Sequence, residues 1–278
     1  MCEFCTKHGE GKKWYLNVKN YSNDLLNDIN RRNFVEKHFY WIDEMYRRNY
    51  NILKKMPINF PLIRGTVKAI IRKMYLYKHW GQVIPIEDIE EILSFTNSIT
   101  RIPCGCRMAT TGKESRLCFL VSFDPSKIGL ADIVDTSYFG GPDLAKFEKV
   151  SKEWALDFMK KSEHEGMIHT VWAFKAPFVG GFCNCDSSGC LPMMMYRDAV
   201  PVIFRSEYIA TVDKNDCTGC GKCVKQCQFN AISLANNDKA VVDNKRCYGC
   251  GICRSTCPSD AIRLSSRAAN PKTASIWH

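Results

Sequence analysis

A chain of 278 residues with 24% charged and 45% hydrophobic content suits one large or two to three small domains. Its sixteen cysteines would suggest disulfides in a short secreted chain. No signal peptide, twin-arginine motif or apolar run of about 18 residues is present, so metal ligation in a reducing cytoplasm is expected instead. The net charge of +10 is uneven, because residues 1–80 hold sixteen Lys/Arg against seven Asp/Glu, or +9.

The first predicted element is a helix over 22–55, with Ser22 as N-cap and Leu25, Leu26, Ile29, Phe34, Val35, His38, Phe39 and Ile42 at helical spacing. Met56-Pro57 and Phe60-Pro61 end it. A second helix is predicted over 62–80, with Arg64, Lys68 and Arg72 on one face and Ile63, Val67, Ile70, Met74 and Tyr77 on another. Basic amphipathic helices can lie on membranes, but packing of the apolar face into a core is preferred here. A third helix starts at Pro85 and ends near Thr96, using Ile86, Ile89, Ile92 and Leu93.

Leu117 to Phe123 reads as a strand. A fourth helix is predicted from Pro142 to Glu165, with Leu144, Phe147, Val150, Trp154, Phe158 and Met159 inward. Thr170 to Phe174 and Val200 to Phe204 read as strands, and the Gly-Gly pairs at 140–141 and 180–181 as turns. His169 is expected to be a packed histidine rather than a ligand.

Cysteines punctuate these elements. Cys104 and Cys106 form a C-x-C followed by Arg107, with Cys118 on the next strand. Cys183 and Cys185 form a second C-x-C, with Cys190 following. Cys104, Cys106, Cys183 and Cys185 are the first candidates for a shared centre, which Cys118 and Cys190 would complete or extend. Arg107 would offset its charge or make an ordinary ion pair. The centre is expected to be a further [4Fe-4S] cluster, with a four-thiolate zinc ion or inert buried thiols as the alternatives. Cys2 and Cys5, followed by His8, form a C-x2-C that could belong to another cluster, giving one or two beyond the last pair. No P-loop or dinucleotide fingerprint occurs; His8-Gly9-Glu10-Gly11-Lys12-Lys13 lacks the required spacing.

The last quarter carries the strongest pattern. Cys217, Cys220, Cys223 and Cys227 read C-x2-C-x2-C-x3-C, and Cys247, Cys250, Cys253 and Cys257 repeat it. Soft thiolates at this spacing suit an iron–sulfur cubane, with the fourth cysteine of each run serving the other cluster. Cys217, Cys220, Cys223 and Cys257 are thus assigned to one [4Fe-4S] cluster, and Cys247, Cys250, Cys253 and Cys227 to the other. The duplication extends to Val212-Asp213 and Val242-Asp243, to Gly219, Gly221, Gly249 and Gly251, and to Ala231-Ile232 and Ala261-Ile262. Pro258 follows the last cysteine, whereas Gln228 stands at the equivalent place after Cys227.

Residues 207–265 resemble a bacterial two-cluster ferredoxin, which implies a pseudo-two-fold fold and single-electron transfer. Residues 101–195 resemble iron–sulfur proteins of anaerobes that place a C-x-C-R and a C-N-C-type motif ahead of a ferredoxin domain. The expected fold class is α+β, with a mainly helical region over 1–100, a cysteine-rich α+β domain over 101–206, a two-cluster ferredoxin domain over 207–265 and a frayed tail over 266–278. The function expected is that of an electron-transfer subunit of a cytoplasmic redox complex, with a flavin- or metal-containing protein partner. The alternative is a reductase whose middle cluster binds substrate. The basic front end also suggests membrane contact or solvated helix faces. Its aromatics Trp14, Tyr15, Tyr40, Trp41 and Tyr46 raise nucleic-acid binding, which no recognition module supports.

Overall fold

The computed structural model describes residues 13–55, 65–66, 69–70, 78–133, 147–197 and 202–276. Cys2, Cys5, His8, most of the helix expected over 62–80 and the Gly-Gly pair at 140–141 lie outside them. The fold is α+β.

The chain enters through three short 3-10 turns, Trp14–Leu16, Val18–Tyr21 and Asn23–Asn27. Two helices follow, Ile29–Tyr40 and Ile42–Lys55, in place of one continuous helix from Ser22. Ser22 caps only the third turn. Asp28, at φ −66° and ψ 107°, leaves the helical region and accepts hydrogen bonds from the amides of Asn30 and Arg31. That side chain sets the true start.

Strands β1 (His79–Ile84), β2 (Ser98–Ile102), β3 (Cys118–Ser122), β4 (Glu148–Lys149), β5 (Ile168–Phe174), β6 (Val179–Cys185) and β7 (Ile203–Phe204) form one sheet. Its order is β4-β2-β3-β6-β5-β1-β7. Among the described residues the strand pairs of this sheet are antiparallel, except that β1 and β7 run parallel. His79 and Trp80 therefore belong to a strand rather than to the end of a helix; Trp80 is fully buried and packs against Trp14 and Phe204.

Helix Ile86–Phe95 forms as expected, with Pro85 as its N-cap. The fourth helix is shorter than expected. Glu148 and Lys149 pair with β2, and the helix runs Lys152–His164 from a Ser151 cap. Trp154 is 41% exposed rather than inward, with Arg101 over its ring.

Strand alternation sorts the sheet's side chains. Phe119, Val121, Val171, Ala173 and Phe182 pack with Ile89, Ile92, Ala155 and Met159 of the two helices on one face. Cys118, Leu120, Trp172, Phe174, Cys183 and Cys185 join the opposite core, with Val35, Phe39 and the C-terminal module. Gly180 and Gly181 lie inside β6 and make no turn. A Cβ on Gly181 would meet the Phe119 carbonyl oxygen at 2.3 Å, so glycine is what lets β3 and β6 approach.

The C-terminal module pairs β8 (Tyr208–Val212) with β11 (Ile262–Ser266), and β9 (Ile232–Leu234) with β10 (Ala240–Val242). Short helices Lys222–Gln226 and Ile252–Ser255 complete its two halves. Residues 267–276 are folded, not frayed. Arg267 is fully buried and donates to the carbonyls of Ser206, Tyr208 and Cys247.

Candidate metal centres

The repeated cysteine loops turn on glycines with positive φ: Gly219 at 73°, Gly221 at 69°, Gly249 at 70° and Gly251 at 90°. Two of these positions admit no side chain, because a Cβ would lie 2.4 Å from the Asp238 oxygen at Gly219 and 2.1 Å from the Tyr208 oxygen at Gly249. Such turns aim successive amides at one point, a nest suited to anionic sulfur. Amides of Lys222, Val224, Gly249, Ile252 and Arg254 donate to the thiols of Cys220, Cys223, Cys247, Cys250 and Cys253. Ala231 donates to Cys227 at 3.2 Å and Ala240 to Cys217 at 3.4 Å.

The two repeats exchange their last cysteines. Cys257 lines one cavity with Cys217, Cys220 and Cys223, walled by Ile262 and Ala240. Cys227 lies close enough to Cys247, Cys250 and Cys253 to push up the thiol of each. Burial is the larger cause of those three shifts, which marks an interior closed to water. Ile232 and Ile262 are 7% and 3% exposed, as an apolar wall requires. The thiol set, the amide donors and the gap lined by Cys217, Cys220, Cys223 and Cys257 fit a pair of [4Fe-4S] clusters.

The six middle cysteines meet in a single group. Cys118 on β3 is the direct partner of Cys183 on β6, and Cys185 shares the face of Cys183 two residues on. Cys104 precedes helix Gly105–Thr111, Cys106 lies in its first turn, and Cys190 precedes helix Leu191–Arg197. Each thiol lies close enough to the next to perturb it, in the order Cys183, Cys118, Cys104, Cys106, Cys190 and Cys185. Bonds from Cys106 and Cys118 hold the Cys104 thiol well below its ordinary range, and the two donors are pushed up by the same bonds. Among the described residues no three such side chains close on a single metal ion. The case for a centre here rests on the continuous line of six sulfurs.

Arg107 makes an ion pair with Asp186 that joins the two C-x-C loops, and Thr110 Oγ1 donates to the Gly189 carbonyl at 2.8 Å. The Arg107 side chain is 17% exposed, so this is an interior strut rather than a surface pair. Gln228 explains the missing proline: its Nε2 donates to the Gly166 carbonyl at 2.9 Å, and its Oε1 accepts from the Ser187 amide at 3.1 Å. A residue beside Cys227 is thereby tied to the loop that follows Cys185. Proline has no such side-chain groups.

All six middle cysteines line a pocket of about 80 Å³. Its other wall is apolar and aromatic, with His38, Tyr46, His79, Trp172 and Phe174. His38 and His79 sit 4.4 Å apart between ring centroids, and Tyr46 O–H lies 3.4 Å from His38 Nε2. Burial pushes His79 down to about 4 and His38 well below its ordinary value, so both are neutral near pH 7. Sequence reasoning missed these two histidines because they come from separate elements, helix Ile29–Tyr40 and β1. His169 is the packed histidine expected, with Nδ1 2.8 Å from Asn184 Oδ1.

Residues 210–264 match the model of one protein family, described as a 4Fe-4S dicluster domain. The C-terminal segment is therefore similar to an iron–sulfur domain of the two-cluster kind. No curated protein matches the chain.

Proposed function

We propose that the chain is an electron-transfer subunit of a larger cytoplasmic redox enzyme, carrying two [4Fe-4S] clusters in its C-terminal module and a further iron–sulfur centre on the six middle cysteines. The observation that carries this reading is the exchange of Cys227 and Cys257 between the repeats. When bound, the clusters supply one-electron chemistry. Cys217, Cys220, Cys223 and Cys257 would hold one, and Cys247, Cys250, Cys253 and Cys227 the other. The loop amides stabilise the added negative charge of the reduced state, and the apolar wall keeps water out. Gln228 supports a path onward, since it joins the Cys227 loop to the Cys185 loop. A redox protein would receive or deliver the electron.

Anaerobically purified protein is expected to contain at least about 8 Fe with matching labile sulfide, and about 12 if the middle centre is one more [4Fe-4S] cluster. A further four-thiolate cluster involving Cys2 and Cys5 would bring the count to about 16. Zinc with almost no iron or sulfide would refute the reading.

The pocket on the six sulfurs favours a second reading, in which the middle centre binds a small substrate and the C-terminal module feeds it. His38 and Tyr46 line the same pocket. Turnover by the isolated chain with an artificial electron donor, abolished by Cys104→Ala, would select this reading over a pure carrier.

A further inference from the structure

A second cavity, remote in character from the cysteine pocket, measures about 880 Å³. Among the described residues four cations line it, Arg197, Arg205, Lys225 and Arg246, and no carboxylate does. Arg197, Lys225 and Arg246 are exposed, as ordinary surface cations are. Arg205 is different. It is 7% exposed, and its guanidinium carbon lies 4.2 Å from the centroid of the Tyr248 ring. Its Nε and Nη1 have no hydrogen-bond partner among the described residues. Leaving donors of a buried cation unmade is costly, so such a group calls for an anion to complete it.

The remaining walls narrow the ligand. Half-buried Tyr196 lines the cavity and rests edge-on against Phe229 and Tyr248, with ring centroids at 5.3 and 5.1 Å. That aromatic corner suits a flat ring, and guanidinium groups suit phosphate oxygens. The volume lies within the roughly 300–1,000 Å³ usual for cofactor and drug-sized ligands, far more than a bare anion fills. Cys227 lines the same cavity, so an occupant would rest beside a cysteine assigned to the second cluster.

We propose that this cavity binds a phosphate-bearing aromatic molecule of the flavin mononucleotide class, its phosphate held by Arg205 with Lys225 and Arg246 and its ring against Tyr196. The site is independent of what the middle cysteines hold. The test uses the full chain, purified anaerobically with its clusters in place, titrated with flavin mononucleotide, riboflavin and inorganic phosphate by calorimetry and flavin fluorescence. Flavin mononucleotide is expected to bind with a Kd on the order of micromolar, and riboflavin about tenfold or more weaker. Arg205→Gln should weaken flavin mononucleotide about tenfold and leave riboflavin unchanged. The exposed pair Lys225→Gln with Arg246→Gln should weaken it about threefold while the visible cluster spectrum stays constant, which guards against a folding defect. Equal affinity for the two flavins, no binding near millimolar concentration, or indifference to both sets of substitutions would overturn the proposal. So would binding of a polyglutamate peptide in the absence of flavin binding, which would make the surface a protein dock.

Discussion

Single residues decide whether the cysteine loops can close. Gly249 and Gly251 both adopt positive φ, yet their surroundings differ. A Cβ at Gly249 would sit 2.1 Å from the Tyr208 oxygen, whereas the nearest atom at Gly251 is 3.5 Å away. Gly251→Ala should therefore cost only the conformational penalty, about 1 kcal/mol, and keep its iron. Gly249→Ala should add a backbone clash, destabilise by more than about 3 kcal/mol, and lose the iron of the second repeat. Thermal unfolding and iron analysis of the two variants side by side would check this; equal behaviour would contradict it. Arg267 shows the same dependence on one side chain, since it satisfies three carbonyls of the module from a segment that reads as a loose tail. A lone arginine beyond the last repeat gives no pattern that would reveal its burial.

At the scale of elements, the proposed middle centre depends on how closely β3 and β6 approach. Gly181→Ala would place a methyl 2.3 Å from the Phe119 oxygen and part Cys118 from Cys183. Iron is expected to fall from about 12 to about 8 per chain, with the C-terminal clusters unaffected. An unchanged count would show that the centre does not need this strand pair. The cysteine spacing made the C-terminal loops legible, because all their ligands are local and duplicated. It also marked both C-x-C groups as one candidate centre, but not the pairing of distant strands that sets Cys118 against Cys183. Gly180-Gly181 reads as a turn from local sequence, and only the sheet shows the contact that requires it. Helix limits failed where side-chain capping outweighed periodicity, at Asp28 and Ser151.

At the scale of the molecule, the N-terminal helices and the module share one apolar core with the cysteine face of the sheet. Among the described residues no helix is long and apolar enough to cross a membrane. That shared core holds neutral histidines, and this gives the fold a pH dependence. His79 falls from an ordinary 6.5 to about 4 on burial. Below pH 6.5 the unfolded chain takes up a proton that the folded chain refuses until about pH 4, so stability drops across that window and levels off beneath it. The His79 share is about 3 kcal/mol, and His38 acts in the same direction. Anaerobic melting temperatures should fall more steeply between pH 7 and pH 5 in the native protein than in His79→Phe. Parallel falls would contradict the assignment.

The arrangement of the two C-terminal clusters matters most, because every proposed electron path begins there. Low-temperature EPR of the chemically reduced, anaerobic protein tests it directly. Two paramagnets held side by side by exchanged cysteines should give one broadened spectrum that shows their mutual coupling. Sharp, independent signals, or none attributable to an iron–sulfur cluster, would contradict the account.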